Sequence, residues 1–251
     1  MATRSTDSAV SVPIGTRGAT LQGNLTIPDG ASGLVVFAHG SGSSRHSPRN
    51  RYVARILNEG GLATLLFDLL TESEEELDLR TRHLRFDIPL LAGRLEAVTG
   101  WLLAREQTRD LRIGYFGAST GAAAALIAAA ARPHDVAAVV SRGGRPDLAG
   151  DALPRVLAPT LLVVGGFDDV VIGLNRDALA RLRCTKDLQV VPGATHLFEE
   201  PGTLERAAGL ALEWFRRHLV PEPGTIAATG HERGAQAMAG TLPITPPSPP
   251  P

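Results

Sequence analysis

The sequence predicts an α/β protein built on a mostly parallel central β-sheet with helices on both faces. Short β-branched and aliphatic runs that are apolar on both sides, as strands buried in a parallel sheet are, recur along the chain. Stretches of helical spacing separate them, and strand–helix alternation is the signature of a sheet covered on both sides. One serine flanked by glycines stands at a strand-to-helix boundary.

The opening residues 10–14 and 19–27 alternate apolar and polar, which predicts a half-exposed antiparallel edge. Residues 34–38, 62–67, 111–116, 136–140, 160–164 and 188–191 then read as strands. Helical spacing marks 51–58, 86–105, 120–131, 175–182 and 203–219. The run Glu74-Glu75-Glu76 reads as a solvated loop or a first helical turn. Past Leu219 the composition changes: residues 221–251 hold eight of the 18 prolines and almost no large aliphatics, too little apolar area to offset ordering entropy. The predicted organisation is a flexible stretch 1–9, one domain over 10–220 and a disordered Pro-rich tail over 221–251.

Composition narrows function. With 251 residues, 43% hydrophobic and 20% charged, the chain has ordinary globular content, and a net charge of −1 gives no broad positive field for nucleic acid or an anionic membrane. The single cysteine, Cys184, excludes an internal disulfide, a CxxC redox pair and a cysteine-rich zinc site; no metal and no cofactor are expected. Residues 1–12 contain no apolar h-region, and the longest apolar run, 122–131, is too short to span a bilayer. A cytoplasmic, unanchored protein is the expectation, and a reducing compartment fits the lone thiol.

Gly117-Ala118-Ser119-Thr120-Gly121 is the only G-x-S-x-G in the chain. Between a strand and a helix this pattern holds a serine on a sharp, strained turn above the sheet, where the helix N-terminus favours negative charge. A nucleophilic serine needs a base, and the base needs an orienting acid farther along the chain. Gly165-Gly166-Phe167-Asp168-Asp169 offers the acid at a strand's C-terminal end, with Asp168 nearer that end than its rival Asp169. Ala194-Thr195-His196 supplies the base in the loop before the last helix. The chain order is thus Ser119, Asp168, His196. On the oxyanion side, His39-Gly40-Ser41-Gly42 follows the first parallel strand, so the Ser41 N–H, with that of Thr120, is expected to receive developing negative charge.

With these motifs the chain resembles an α/β-hydrolase, and within that superfamily the small, lidless dienelactone-hydrolase-like proteins; the resemblance covers about residues 10–219. It implies the α/β-hydrolase fold. One departure is informative: dienelactone hydrolases proper carry a cysteine nucleophile, whereas this elbow carries Ser119, which points to a serine esterase or related acyl hydrolase. Members that wrap long acyl chains insert a cap after the sixth strand. Residues 142–158 leave no room for one, so a shallow, open pocket for a small ester is expected.

Two arginine-bearing loops, 45–50 and 141–147, follow strand ends. Arg45, Arg49, Arg142 and Arg145, with His39 nearby, are candidates to hold a substrate carboxylate or phosphate. Pairing with acidic residues is the competing role for the arginines. Two other functions use the same residues: a non-catalytic fold that binds a small molecule or partner protein, and an acyltransferase working through the same acyl-enzyme.

Overall fold

The computed structural model describes residues 5–14 and 19–220. The expected tail, 221–251, lies outside them. Eight strands form one sheet: β1 (Ser5–Ile14), β2 (Ala19–Pro28), β3 (Leu34–Ala38), β4 (Ala63–Phe67), β5 (Ile113–Ala118), β6 (Val136–Arg142), β7 (Thr160–Gly165) and β8 (Lys186–Val191), in the order β1-β2-β4-β3-β5-β6-β7-β8. β1 and β2 run antiparallel to each other and β2 antiparallel to β4; every other pair is parallel. The antiparallel edge is therefore as expected, but β1 starts at Ser5, inside the stretch read as flexible, because Ser5 to Ala9 pair in register with Asn24 to Pro28.

β3, β4, β5 and β7 are buried at every residue, which is why their sequences are apolar without alternation. α3 (Ile88–Leu103), α4 (Thr120–Ala131) and α5 (Asp169–Arg181) pack on one face, where Leu91, Leu95, Val98, Ala125 and Ala178 join Tyr115 and Val139 in one core. α1 (Pro48–Glu59) and α6 (Thr203–Leu219) cover the other face, burying Val53, Leu57, Ala207, Ala211 and Phe215 against Phe37, Phe116 and Val140. α4 buries nine of its twelve residues, so it carries no amphipathic stripe. β8, at the far edge, is exposed or half-buried along Lys186 to Val190.

One helical stretch takes the helical of its two expected forms, and another departs from expectation. The acidic run belongs to α2 (Glu72–Thr81), nucleated by reciprocal capping: Thr71 Oγ1 accepts from the Glu74 N–H at 3.3 Å, and Glu74 Oε2 from the Thr71 N–H at 2.8 Å. α5 begins at Asp169 rather than 175, its first turn disguised by the β-branched Val170-Val171-Ile172. Between β6 and β7 the chain makes only 3-10 turns over Pro146–Arg155, and there is no cap domain. Among the described residues no helix is long and apolar enough to cross a membrane.

β3 is flanked by β4 on one side and β5 on the other, so the chain winds in opposite directions from it. Strand ends diverge at such a switch point, and open α/β sheets place their sites there.

Candidate active site

Ser119 separates the end of β5 from the start of α4 with φ 50° and ψ −123°, a backbone conformation that side-chain-bearing residues rarely adopt. Close packing imposes it. A Cβ on Gly117 would lie 2.4 Å from Ala122 Cα, and one on Gly121 would lie 2.2 Å from the Ala38 carbonyl oxygen. Only glycine at both places lets α4 fold back onto the ends of β5 and β3. Ser119 occupies the N-cap of α4, yet its side chain caps nothing.

Asp168 and His196 come from the next two connections. The Gly166 N–H donates to the Val191 carbonyl at 2.8 Å and the Phe167 N–H to the Ala194 carbonyl at 2.9 Å, clamping the β7–α5 corner to the loop after β8. Across that clamp His196 Nδ1 and Asp168 Oδ2 are 2.6 Å apart. The network assigns the Nδ1 proton as donated to the carboxylate, leaving Nε2 the free ring nitrogen. The imidazole is 38% exposed and the carboxylate 16%. Asp169 is exposed in the first turn of α5, so Asp168 is the acid the structure brings to the histidine. Ser119 Oγ makes no hydrogen bond to any of the described residues, His196 included. Phe167, Val170 and Leu197, all exposed, put an apolar rim beside the pair.

The oxyanion side departs from expectation at Ser41. Its N–H and Thr120 are brought together as anticipated, but the N–H donates to Thr120 Oγ1 at 2.9 Å rather than standing free. A side-chain latch thus joins the β3 loop to the first residue of α4. His39 turns inward. It is buried, with Nδ1 donating to the Gly40 carbonyl at 2.9 Å and Nε2 accepting from the Leu69 N–H at 3.2 Å, and burial holds its pKa below the ordinary histidine value. It is a neutral strut between the β3 and β4 loops.

The arginines divide. Arg45 is paired: its N–H donates to Asp68 Oδ1 at 2.8 Å and its guanidinium pairs with Asp68 Oδ2. Arg145 makes a fork with Asp147 at 2.9 and 2.8 Å. Arg49 meets Glu199 at 2.9 Å in a pair largely open to solvent. Arg142 differs: only 7% exposed, it leaves Nε and Nη1 buried with no protein acceptor. Burial and the like charge of Arg49 push its pKa down to about 10, and its guanidinium sits 5.6 Å from the centroid of the Phe198 ring. Sequence reading missed Glu199 and Phe198, since nothing local marks a partner 150 residues away. A cavity of about 870 Å³ lies apart, between the β1–β2 hairpin and α1, and of these residues only Arg45 borders it. Among the described residues no cluster of His, Cys, Asp and Glu is placed to hold a metal.

A serine in a strained strand–turn–helix corner, with an aspartate–histidine pair delivered by the following corners, defines the class: this is an α/β-hydrolase fold. The chain is 63% identical to a dienelactone hydrolase of Anabaena variabilis whose crystal structure superposes with a TM-score of 0.84, the match covering 86% of this chain and 99% of that one. The chain belongs to the dienelactone hydrolase family. Fold likeness extends to a lidless serine hydrolase of Xanthomonas campestris (24% identity, TM-score 0.68, 86% and 97% covered) and to Est1E of Butyrivibrio proteoclasticus (18%, 0.66, 82% and 98%). No family model matches. A Mycobacterium tuberculosis protein provisionally named a phosphoribosyl transferase is 64% identical over 197 residues, 78% of this chain. The chain spans less than half, 44%, of that relative.

Proposed function

We propose that the protein is a serine hydrolase that cleaves an ester-like bond of a small substrate through an acyl-enzyme. The observation that carries this reading is the 2.6 Å His196–Asp168 pair delivered beside the elbow that strains Ser119. Ser119 Oγ attacks the carbonyl carbon while His196 Nε2 takes its proton; the tetrahedral intermediate expels the alcohol, which receives that proton back. Water, activated by the same nitrogen, then hydrolyses the acyl-enzyme. Asp168 holds the imidazole in the Nδ1–H tautomer and stabilises the imidazolium.

The Thr120 N–H, in the first turn of α4, and the Ser41 N–H hold the oxyanion. For Ser41 this requires exchanging the Thr120 hydroxyl for the developing charge. Absence of a cap and the apolar rim of Phe167, Val170 and Leu197 favour small, partly apolar esters over long acyl chains. A cytoplasmic location belongs to the same proposal, resting on the lone Cys184 and on the want of a candidate membrane helix among the described residues. The relatives' phosphoribosyl-transferase name is not carried over, because more than half of those proteins lies outside the match.

The test is labelling with a fluorophosphonate probe and turnover of short-chain p-nitrophenyl esters by the parent and by Ser119→Ala. The expected result is an adduct on Ser119 and a loss of about 10⁴- to 10⁶-fold in kcat in the variant with folding intact. Full esterase activity in Ser119→Ala overturns the assignment. An adduct without ester turnover shifts the reading to a transferase or a binding protein.

A further inference from the structure

Arg142 is a charge the fold does not use. It ends β6, opposite Ala118, and its carbonyl accepts from the Ser119 N–H at 3.3 Å. Strand alternation places its side chain with Ala138 and Val140, on the face that α1 and α6 cover. There Nε and Nη1 are sealed from solvent without an acceptor, and the charge acting on the guanidinium is Arg49, of the same sign. A buried cation beside a second cation is costly, and among the described residues the face of the Phe198 ring is its one compensation, with no carboxylate or carbonyl on Nε or Nη1. Among the described residues Arg49 is held by Glu199, in a pair 34% and 62% exposed, a kind of contact that solvent screens and that contributes little.

The location is next to the reacting groups. A Cβ on Gly143, the residue after Arg142, would lie 3.7 Å from His196 Cε1 and 3.0 Å from its carbonyl oxygen. Phe198, whose ring lies under the guanidinium, is two residues past His196. Residual access to Arg142 and the solvent-open Arg49–Glu199 pair leave this side of the histidine reachable from outside.

We propose that Arg142 and Arg49 form an oxyanion subsite beside His196 that takes a dianionic phosphate-type group carried by the substrate, with Glu199 as the resident carboxylate that the ligand displaces from Arg49. Charge selects the ligand. With Glu199 displaced the two guanidiniums present +2, which a phosphate monoester balances and a single carboxylate does not. Planar guanidinium forks also match tetrahedral oxyanions through paired N–H···O bonds. The substrate-selecting role rests on the hydrolase reading above; anion binding itself does not.

The experiment therefore uses the full chain carrying Ser119→Ala, titrated calorimetrically with inorganic phosphate and, separately, with acetate at pH 8. Phosphate is expected to saturate one site and to bind at least ten times tighter than acetate. Adding Arg142→Met should weaken phosphate by about 10- to 100-fold, the scale of losing a charge-assisted fork. The melting temperature should hold or rise, because a buried cation beside a second cation is removed. Glu199→Gln should tighten phosphate several-fold, and this opposite-signed arm keeps the test decisive if Arg142→Met does not fold. No saturable phosphate site, equal affinity with and without Arg142, or acetate binding as tightly as phosphate overturns the proposal. None of these outcomes depends on esterase turnover, so failure here and failure of the hydrolase reading are separable.

Discussion

Two strand-to-helix corners, β5–α4 and β7–α5, solve one problem by different physics. Each places a good capping residue, Ser119 or Asp168, at a helix N-cap, and in neither does that side chain cap the helix. At the first corner the backbone is forced, with φ of 50° at Ser119 and glycines on which a Cβ would sit 2.2 to 2.4 Å from main-chain atoms. At the second a glycine is also required, since a Cβ on Gly165 would sit 2.5 Å from the Ala194 and Thr195 carbonyl oxygens, but φ at Asp168 itself is −107°, an ordinary value, and its side chain is aimed by the His196 bond and by two amide–carbonyl bonds to the neighbouring loop. Steric compulsion suits a nucleophile that must stand clear of the sheet. A hydrogen-bonded corner suits an acid that has only to hold and balance an imidazole.

The contrast breaks most sharply at the acid. Asp168→Asn should lower kcat by about 10⁴-fold with little change in melting temperature, because the amide reverses the tautomer the carboxylate enforces. Asp169→Asn, exposed in the helix, should stay within about twofold of the parent. Equal losses in the two variants, read from ester turnover, would erase the distinction between the adjacent aspartates.

At the steric corner a stability change comes first. Gly121→Ala puts a methyl 2.2 Å from the Ala38 carbonyl oxygen and should cost about 3 kcal/mol in urea unfolding, with activity lost alongside. Gly173, inside α5 and past the second corner, is unconstrained: a Cβ there meets nothing within 4 Å. Gly173→Ala should therefore gain up to about 1 kcal/mol from helix propensity and leave turnover unchanged. A loss at Gly173 as large as at Gly121 would mean that the first turns of α5 are packed as tightly as the elbow.

How much of this the sequence carried follows the same divide. The elbow is a five-residue pattern whose glycines are dictated locally, and Ser119, Thr120 and the strand–helix boundary were legible from it. The central strands were legible because burial on both faces leaves no polar residue to interrupt them. Aspects set by contacts distant in sequence were not. Arg45 finds Asp68 and Arg49 finds Glu199 across 23 and 150 positions, and His39 turns inward to the Leu69 amide. α2 was masked for another reason: its only buried residue is Asp78, so no apolar stripe announces the helix that the Thr71 capping box starts.

A smaller effect tests the inward His39. Burial holds its folded pKa below the 6.5 of an unfolded histidine, so the unfolded chain takes up the proton first as pH falls. Its contribution is complete above about pH 6.5 and declines as pH drops toward the folded value. The parent should lose stability between pH 7 and 5 in denaturant titrations, and His39→Gln, itself less stable at pH 7, should show a shallower slope. Identical slopes would place the imidazole in solvent.

The alanines of α4 set the tempo of the molecule around the nucleophile. Methyl side chains have no rotamers to freeze, so this helix orders at little entropic cost, and with nine of twelve residues buried it has no solvent-facing side from which to fray. In amide hydrogen exchange its interior N–H groups should open only with global unfolding, whereas α2, which buries only Asp78 and is otherwise joined to α3 by the Glu74–Arg94 pair, should exchange through local openings. The serine thus stands on a closely packed helix, and the strain at its backbone persists because the helix beneath it has no cheap way to relax.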